Sequence, residues 1–272
     1  IGGWWVDYAN YTGTGLNLIR GLDYTHTPLS QLSNHPFSFE ALVENTGILS
    51  QQNVYLNYNV TGPSANPNFA FGSSSPMLLN SQDSSFMAAL PTFGDASIPL
   101  GNYIVDIWAQ SDSTSTFYAP VTKEFEVTNY IYGKDLGESN RSSRIVGGPN
   151  DQWHFTTRYE MYANEQLYSI RAFISDQSDV GAEIKAIIYE WVSTATSGRS
   201  FYDESDNYTI TAQDLGAWVD VPFVNPIALL NGYAYECGVV GSQHPTDSVC
   251  LGTSGGSMYN GEHRLFDELG LS

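Results

Sequence analysis

Residues 36–62 read PFSFEALVENTGILSQQNVYLNYNVTG, and this stretch decides the fold. Phe37, Phe39, Ala41 and Val43 alternate with polar partners, and Val54, Leu56, Tyr58 and Val60 repeat the pattern. Successive side chains of a strand point to opposite faces, so apolarity of period two marks a strand with one face buried. Asn45-Thr46-Gly47 between the two runs has the composition of a tight turn. The reading is a pair of neighbouring strands in the core of a β-sandwich.

Outward from this pair the alternation continues. Phe86, Ala88 and Leu90 form one set, and Tyr103, Val105, Ile107 and Ala109 another; residues 121–127 close the series. About seven short strands with turn residues between them predict an immunoglobulin-like sandwich over residues 20–132. Residues 1–19 precede it as an arm in which Trp4, Val6 and Tyr8 alternate. The Trp4-Trp5 pair reads first as a plug for the end of a core and second as a sugar-stacking pair. Residues 133–151 (GKDLGESNRSSRIVGGPND) are rich in Gly, Ser and Asn, as a linker is. From residue 152 to 272 short strand patterns resume. The nearly continuous apolar run at 182–191 predicts a strand buried on both faces. No helical period is sustained for three turns. The chain is therefore read as all-β: a first sandwich, a linker and a second sandwich of jelly-roll type.

Ten Lys and Arg stand against 29 Asp and Glu, for a net charge of −19. Such a chain is repelled by phosphate backbones and anionic membranes, which argues against nucleic acid as a partner. No run has the length of a membrane helix, so membrane insertion is not expected. The opening Ile1-Gly2-Gly3 reads as a processed terminus or an artificial boundary.

Little of the sequence points to catalysis. Ile145-Val146-Gly147-Gly148 and Gly252-Thr253-Ser254-Gly255-Gly256 mimic the activated terminus and nucleophile loop of trypsin-like proteases. A His and an Asp would have to lie between them to relay the proton. His154 follows too closely, and Thr253 stands where an Asp belongs, so the protease is rejected. The five histidines are scattered singly, and no nucleotide or phosphate loop occurs. Asp176 and Asp179, and Asp203 and Asp206, lie in segments dense in hard oxygen donors. Each segment reads first as a solvated acidic loop and second as part of a calcium site; no other cofactor is expected. Cys237 and Cys250 flank a hairpin pattern and are expected to bond across adjacent strands, with two buried free thiols as the alternative. Asn10, Asn59, Asn140 and Asn207 head Asn-x-Ser/Thr sequons.

GLDYTHTPLSQ, PFSFEALVENTGILSQQNVYLNYNVTG, PLGNYIVDIWAQSDST and EFEVTNYIYGKD resemble secreted multidomain proteins of Bacteroidetes exported by type IX secretion. So do WHFTTRYEMYANEQLYSIRAFISDQSDVGAEIKAIIYE, LGAWVDVPF and GYAYECGVVGSQHPTDS. In those proteins an adhesion domain of the CARDB kind, immunoglobulin-like, precedes a jelly-roll domain and a sorting signal. The resemblance implies an extracellular or cell-surface protein with no assigned reaction. It also implies O-glycans at Asp-Ser/Thr triplets, which makes Ser113 and Ser248 candidates. Relatives carry one more strand where this chain stops at Ser272. A groove left by that strand would invite one from another chain, with Trp4, Trp5, Val6 and Tyr8 as the expected assembly strand; the alternative is that the strand was simply cut away. The leading expectation is thus a non-enzymatic structural or adhesive protein that polymerises. The alternative is a pair of carbohydrate-binding modules from a larger hydrolase, with Trp153, Trp191 and Trp218 stacking on glycans.

Overall fold

The computed structural model describes residues 4–6, 24–45, 48–112, 120–135, 141–144, 152–192, 198–242, 247–253 and 263–267. The chain divides between Lys134 and Asp135 into two units, and both are β-sandwiches in which strand dominates over helix.

The first unit contains β1 (Trp4–Val6), β2 (His26–Pro28), the short helix α1 (Leu29–Asn34) and β3 (Phe37–Asn45). It continues with β4 (Gln51–Gly62), β5 (Asn66–Ser73), β6 (Met77–Leu79), β7 (Ser84–Phe93), β8 (Gly101–Gln110) and β9 (Val121–Thr128). The strand order is β1-β3-β7-β5-β4-β8-β9-β2, with β6 on β4. The β5–β7 link is a single residue pair, Ser73 with Leu90. There the ladder folds over, and β3 and β7 face β4, β8 and β9 across one core. Phe37, Phe39, Ala41 and Val43 are buried as their alternation requires. Their partners in the core include Leu56, Tyr58, Tyr103 and Phe125. Phe39 meets Tyr58 at 4.5 Å between ring centroids, and Phe37 meets Phe125 edge-on at 5.1 Å. A buried side chain of this size contributes roughly 1.5–3 kcal/mol.

One expectation is corrected here. β3 and β4 are consecutive but do not pair: β3 lies between β1 and β7, and β4 between β5 and β8. Both strands have an inward apolar set, and two such strands bury it best by facing each other. The connection is a crossover rather than a hairpin turn, and buried Asn45 anchors it. The Asn45 side-chain amide donates to the carbonyls of Leu49, Leu79 and Asn80, giving partners to backbone acceptors at this crossing.

The second unit contains β10 (Arg141–Arg144), β11 (Gln152–Glu160), β12 (Glu165–Ile174), β13 (Glu183–Trp191) and β14 (Arg199–Glu204). β15 (Tyr208–Thr209), β16 (Ala217–Leu229), β17 (Ala234–Ser242), β18 (Cys250–Thr253) and β19 (His263–Asp267) complete it. One sheet runs β10-β18-β12-β16, the other β14-β13-β17-β11-β19 with β15 on β13. Val219, Val221, Phe223, Ile227 and Leu229 of β16 are buried, while Arg171 and Asp220 face each other on the outside of β12 and β16. In β13, Ile187 and Ile188 are both buried, so the strand is covered on both faces, as its apolar run predicts.

The linker reading of residues 133–151 is also corrected. Gly133 bridges to His26 in the first unit, and Arg141–Arg144 pairs with β18 in the second. The Arg-Ser-Ser-Arg strand contains no apolar residue, so periodicity does not mark it.

Candidate functional site: a cleft at one end of the six-stranded sheet

Three segments meet at one end of the larger sheet of the second unit. Strand β11 ends in Arg158-Tyr159-Glu160 and runs on into Met161-Tyr162, and β13 ends in Glu190-Trp191. Between them β17 begins at Ala234, just after the turn through Asn231-Gly232-Tyr233. The ladder sets Glu160 opposite Ala234 and Glu190 opposite Tyr235. The outcome is a cleft of about 560 Å³, walled by Arg158, Glu160, Tyr162, Glu190, Trp191 and Tyr233. Ala234 and Gly232 are the small residues between these walls. Gly232 adopts φ +83°, which suits a glycine, and a Cβ there would meet open space.

The walls are fixed by polar contacts. Arg158 donates to Glu160 Oε1 at 2.8 Å, and the Tyr162 hydroxyl donates to Glu160 Oε2 at 3.0 Å. Both carboxylate oxygens are thereby oriented. The Arg158 guanidinium lies over the Trp191 ring at 4.7 Å, a cation–π contact that commits both side chains. Gly198 packs against the same indole so closely that a Cβ would come within 2.9 Å of it. Tyr233 is 45 % exposed, and its ring stacks on buried Tyr235 at 6.4 Å.

Next to the cleft the same sheet holds a layer of polar groups. Arg158, Glu236 and Tyr189 occupy one row across β11, β17 and β13. Glu236 is fully buried, with Arg199 Nη1 at 3.8 Å. Arg199 also lies over the Tyr189 ring at 5.5 Å, and Tyr189 Oη shares a hydrogen bond with His154 Nδ1 at 3.0 Å. A carboxylate taken out of water needs such cationic and hydrogen-bonded company. Burial, and after it the neighbouring Glu236 charge, pushes the Cys237 thiol up to about 12. That thiol is protonated and unreactive at neutral pH.

Of the residues singled out by sequence, Trp191 lines the cleft. Trp153 pairs with Gly241, six residues along β17 from Tyr235, which places it about 20 Å away at 3.4 Å per residue. Trp218 sits on the other sheet, 44 % exposed and edge-on to Phe173 at 5.6 Å. The three do not form one stacking platform.

Asp179 Oδ2 accepts the Ser248 backbone N–H at 2.7 Å, and Asp203 Oδ1 accepts that of Glu204 at 2.8 Å. Asp176 accepts the Ser175 hydroxyl at 3.3 Å, and Asp206 is exposed in the segment after β14. Among the described residues no three His, Cys, Asp or Glu side chains gather where they could hold a metal ion.

Cys237 and Cys250 are free and buried. They lie in different sheets, β17 and β18, so the disulfide expected across adjacent strands is not formed. The expectation for Ser248 is corrected too. It is only 8 % exposed, and its hydroxyl accepts a hydrogen bond from Arg144, so it is not presented as a surface acceptor. Ser113, Tyr8, Asn10 and Asn140 lie outside the described residues. Asn59 is within β4, and the Asn207 side chain donates to Glu183 at 2.7 Å. Trp4, Trp5 and Val6 form β1, which pairs antiparallel with β3 from Asn45 to Val43.

Sequence reasoning missed Arg158, Glu160, Tyr162, Glu190 and Tyr233. They come from three segments separated by some thirty to forty residues each, and only strand pairing brings them together. No family model and no curated protein matches the chain. No helix among the described residues is long and apolar enough to cross a membrane.

Proposed function

We propose that this is a non-enzymatic extracellular or cell-surface protein of structural or adhesive type, which associates with itself by exchanging its first strand. The observation that carries this reading is β1. Three residues, Trp4–Val6, cover the edge of β3 from nearly forty residues away in sequence. The same three residues make this backbone pairing with the β3 edge of a second copy. Exchange of this kind is heterologous and propagates as a fibre unless rotation closes it. In the second unit the edge strand β16 is protected differently: it carries Pro222 and Pro226, which offer no N–H to an incoming strand.

The immunoglobulin-like reading of the first unit is supported by its fold-over at β5–β7 and by the parallel pairing of β2 with β9. The jelly-roll reading of the second is supported by its two antiparallel sheets. The net charge of −19 disfavours nucleic acid and anionic membrane as partners, and the resemblance to type IX secreted proteins supports export. Removal of residues 1–8 tests assembly. The full chain should sediment as a concentration-dependent series, and the truncated chain should lose that series and melt at a lower temperature. A truncated chain that assembles and melts like the full one ends the proposal, as does a full chain that stays monomeric.

A further inference from the structure

The ladder divides the lining of the cleft between the two faces of the sheet. Arg158 is level with Glu236 and Tyr189, and Glu160 and Trp191 lie two residues further along that same face. Tyr235 and Glu190 stand opposite each other on the other face. Two more tyrosines join them there. The Tyr233 ring stacks on Tyr235 at 6.4 Å, and the Tyr202 ring meets Tyr235 edge-on at 5.8 Å. We infer that this cluster of Glu190, Tyr202, Tyr233 and Tyr235 binds an alkylammonium group, as carried by a lysine side chain or a small quaternary amine. The site stands independently of strand exchange, which involves the other unit.

The rings are held in place yet partly open. Tyr235 is buried at the base of the cluster, and its hydroxyl accepts the Leu230 backbone N–H at 3.2 Å. The Tyr202 hydroxyl donates to the Ala228 carbonyl at 3.4 Å, which ties that ring to β16. Tyr202 and Tyr233 remain 41 % and 45 % exposed, so a ligand reaches both. A cation is drawn to the negative face of such rings, and rings already fixed lose little freedom on binding. Burial raises the Tyr235 phenol above its ordinary value, and Tyr202, Glu190 and Tyr233 are close enough to add to the rise.

Glu190 supplies the charge. Its side chain is half-buried and makes no hydrogen bond or ion pair among the described residues, whereas Glu160 and Glu236 each have an arginine. Arg158, Lys185 and Arg199 all belong to the opposite face, in register with Glu236, Val240 and Trp191. None of the three neutralises Glu190. The net charge of −19 attracts cations and repels phosphorylated, sulfated or uronic ligands. A neutral sugar would cover the rings but leave the carboxylate without a counter-charge. An alkylammonium group meets both.

Choline, a trimethyllysine peptide and an unmodified lysine peptide serve as cationic probes. Neohexanol, the uncharged carbon analogue of choline, and cellohexaose serve as neutral ones, each titrated into the full chain and followed by NMR. At least one cationic probe should bind saturably, with the protons next to its nitrogen shifted upfield by the rings. Neohexanol should bind about tenfold more weakly than choline or worse, a comparison that needs no variant. Glu190→Gln and Tyr233→Ala should each weaken cation binding about tenfold, while Tyr233→Phe keeps the ring and the affinity. Trp218→Ala, on the other sheet, should leave it unchanged. An unchanged melting temperature separates lost binding from lost fold. Tighter binding of choline than of the peptides supports the site with a small amine as ligand, and the reverse supports it with a protein side chain. The inference is overturned if no cationic probe binds, if a neutral probe binds as tightly as the cationic ones, or if folded Glu190→Gln and Tyr233→Ala proteins bind like the parent.

Discussion

Strands β3 and β17 are each nine residues long and each paired on both sides, yet they are buried in different ways. In β3 burial alternates strictly: Phe37, Phe39, Ala41 and Val43 point into the core, while Ser38, Glu40, Leu42 and Glu44 stay partly wet. In β17 Tyr235, Glu236, Cys237, Val239 and Val240 are buried one after another, because the sheet is covered on both faces. A strand with one dry face sends its charges to the other face. A strand with two dry faces has no such outlet, and β17 carries Glu236 into the interior against Arg199. The candidate cleft opens at the end of that second sheet, where buried polar groups meet solvent.

Point substitutions test this difference directly. Phe39→Ala should destabilise the first unit by about 3–5 kcal/mol, since a fully buried ring against Tyr58 leaves a cavity behind. Glu40→Ala, one position along on the other face, should stay within about 0.5 kcal/mol. Urea unfolding followed by circular dichroism measures both. Similar losses at the two positions would mean that β3 is not one-faced.

In β17 the alternation should vanish. Glu236→Ala should cost about 3 kcal/mol, because the Arg199 charge is left with its buried partner gone. Tyr235→Ala, on the opposite face, should cost at least as much. If one of these neighbours is tolerated while the other is not, then one face of the sheet is open and the contrast with β3 collapses.

The same physics governs how much could be read in advance. The inward set of β3 and β4 was legible because one wet face makes the pattern binary. Their pairing was not, because Asn45-Thr46-Gly47 fits a hairpin and a crossover equally well; Asn45 decides it through distant carbonyls of Leu79 and Asn80. The double burial of β13 was legible from its apolar run. β10 was hidden, since Arg141-Ser142-Ser143-Arg144 has no apolar period at all. The cleft was legible only in Trp191. Its other walls are ordinary polar and aromatic residues that acquire meaning when β11, β13 and β17 end side by side.

The smallest expected effect lies on the open face of the other sheet. Arg171 donates twice to Asp220, from Nε to Oδ1 at 2.7 Å and from Nη2 to Oδ2 at 2.8 Å. The side chains are 50 % and 49 % exposed, so this is a charge pair in water, unlike Glu236 and Arg199. The hydrogen bonds from Arg171 hold the Asp220 carboxyl below its ordinary value of 3.8, against the opposing pull of partial burial. A carboxyl whose folded value is depressed stabilises the fold fully above the ordinary value, and this contribution is lost as pH falls through the depressed one. Asp220→Asn should therefore cost no more than about 1 kcal/mol at neutral pH, less at high salt, and nothing once the carboxyl of the parent is protonated. Unfolding free energies of parent and variant, compared from neutral to strongly acidic pH, should converge toward the acid end. A cost at neutral pH as large as that of Glu236→Ala would show that solvent on this face does not screen the pair, and the distinction between open and covered faces would fail where it is simplest to measure.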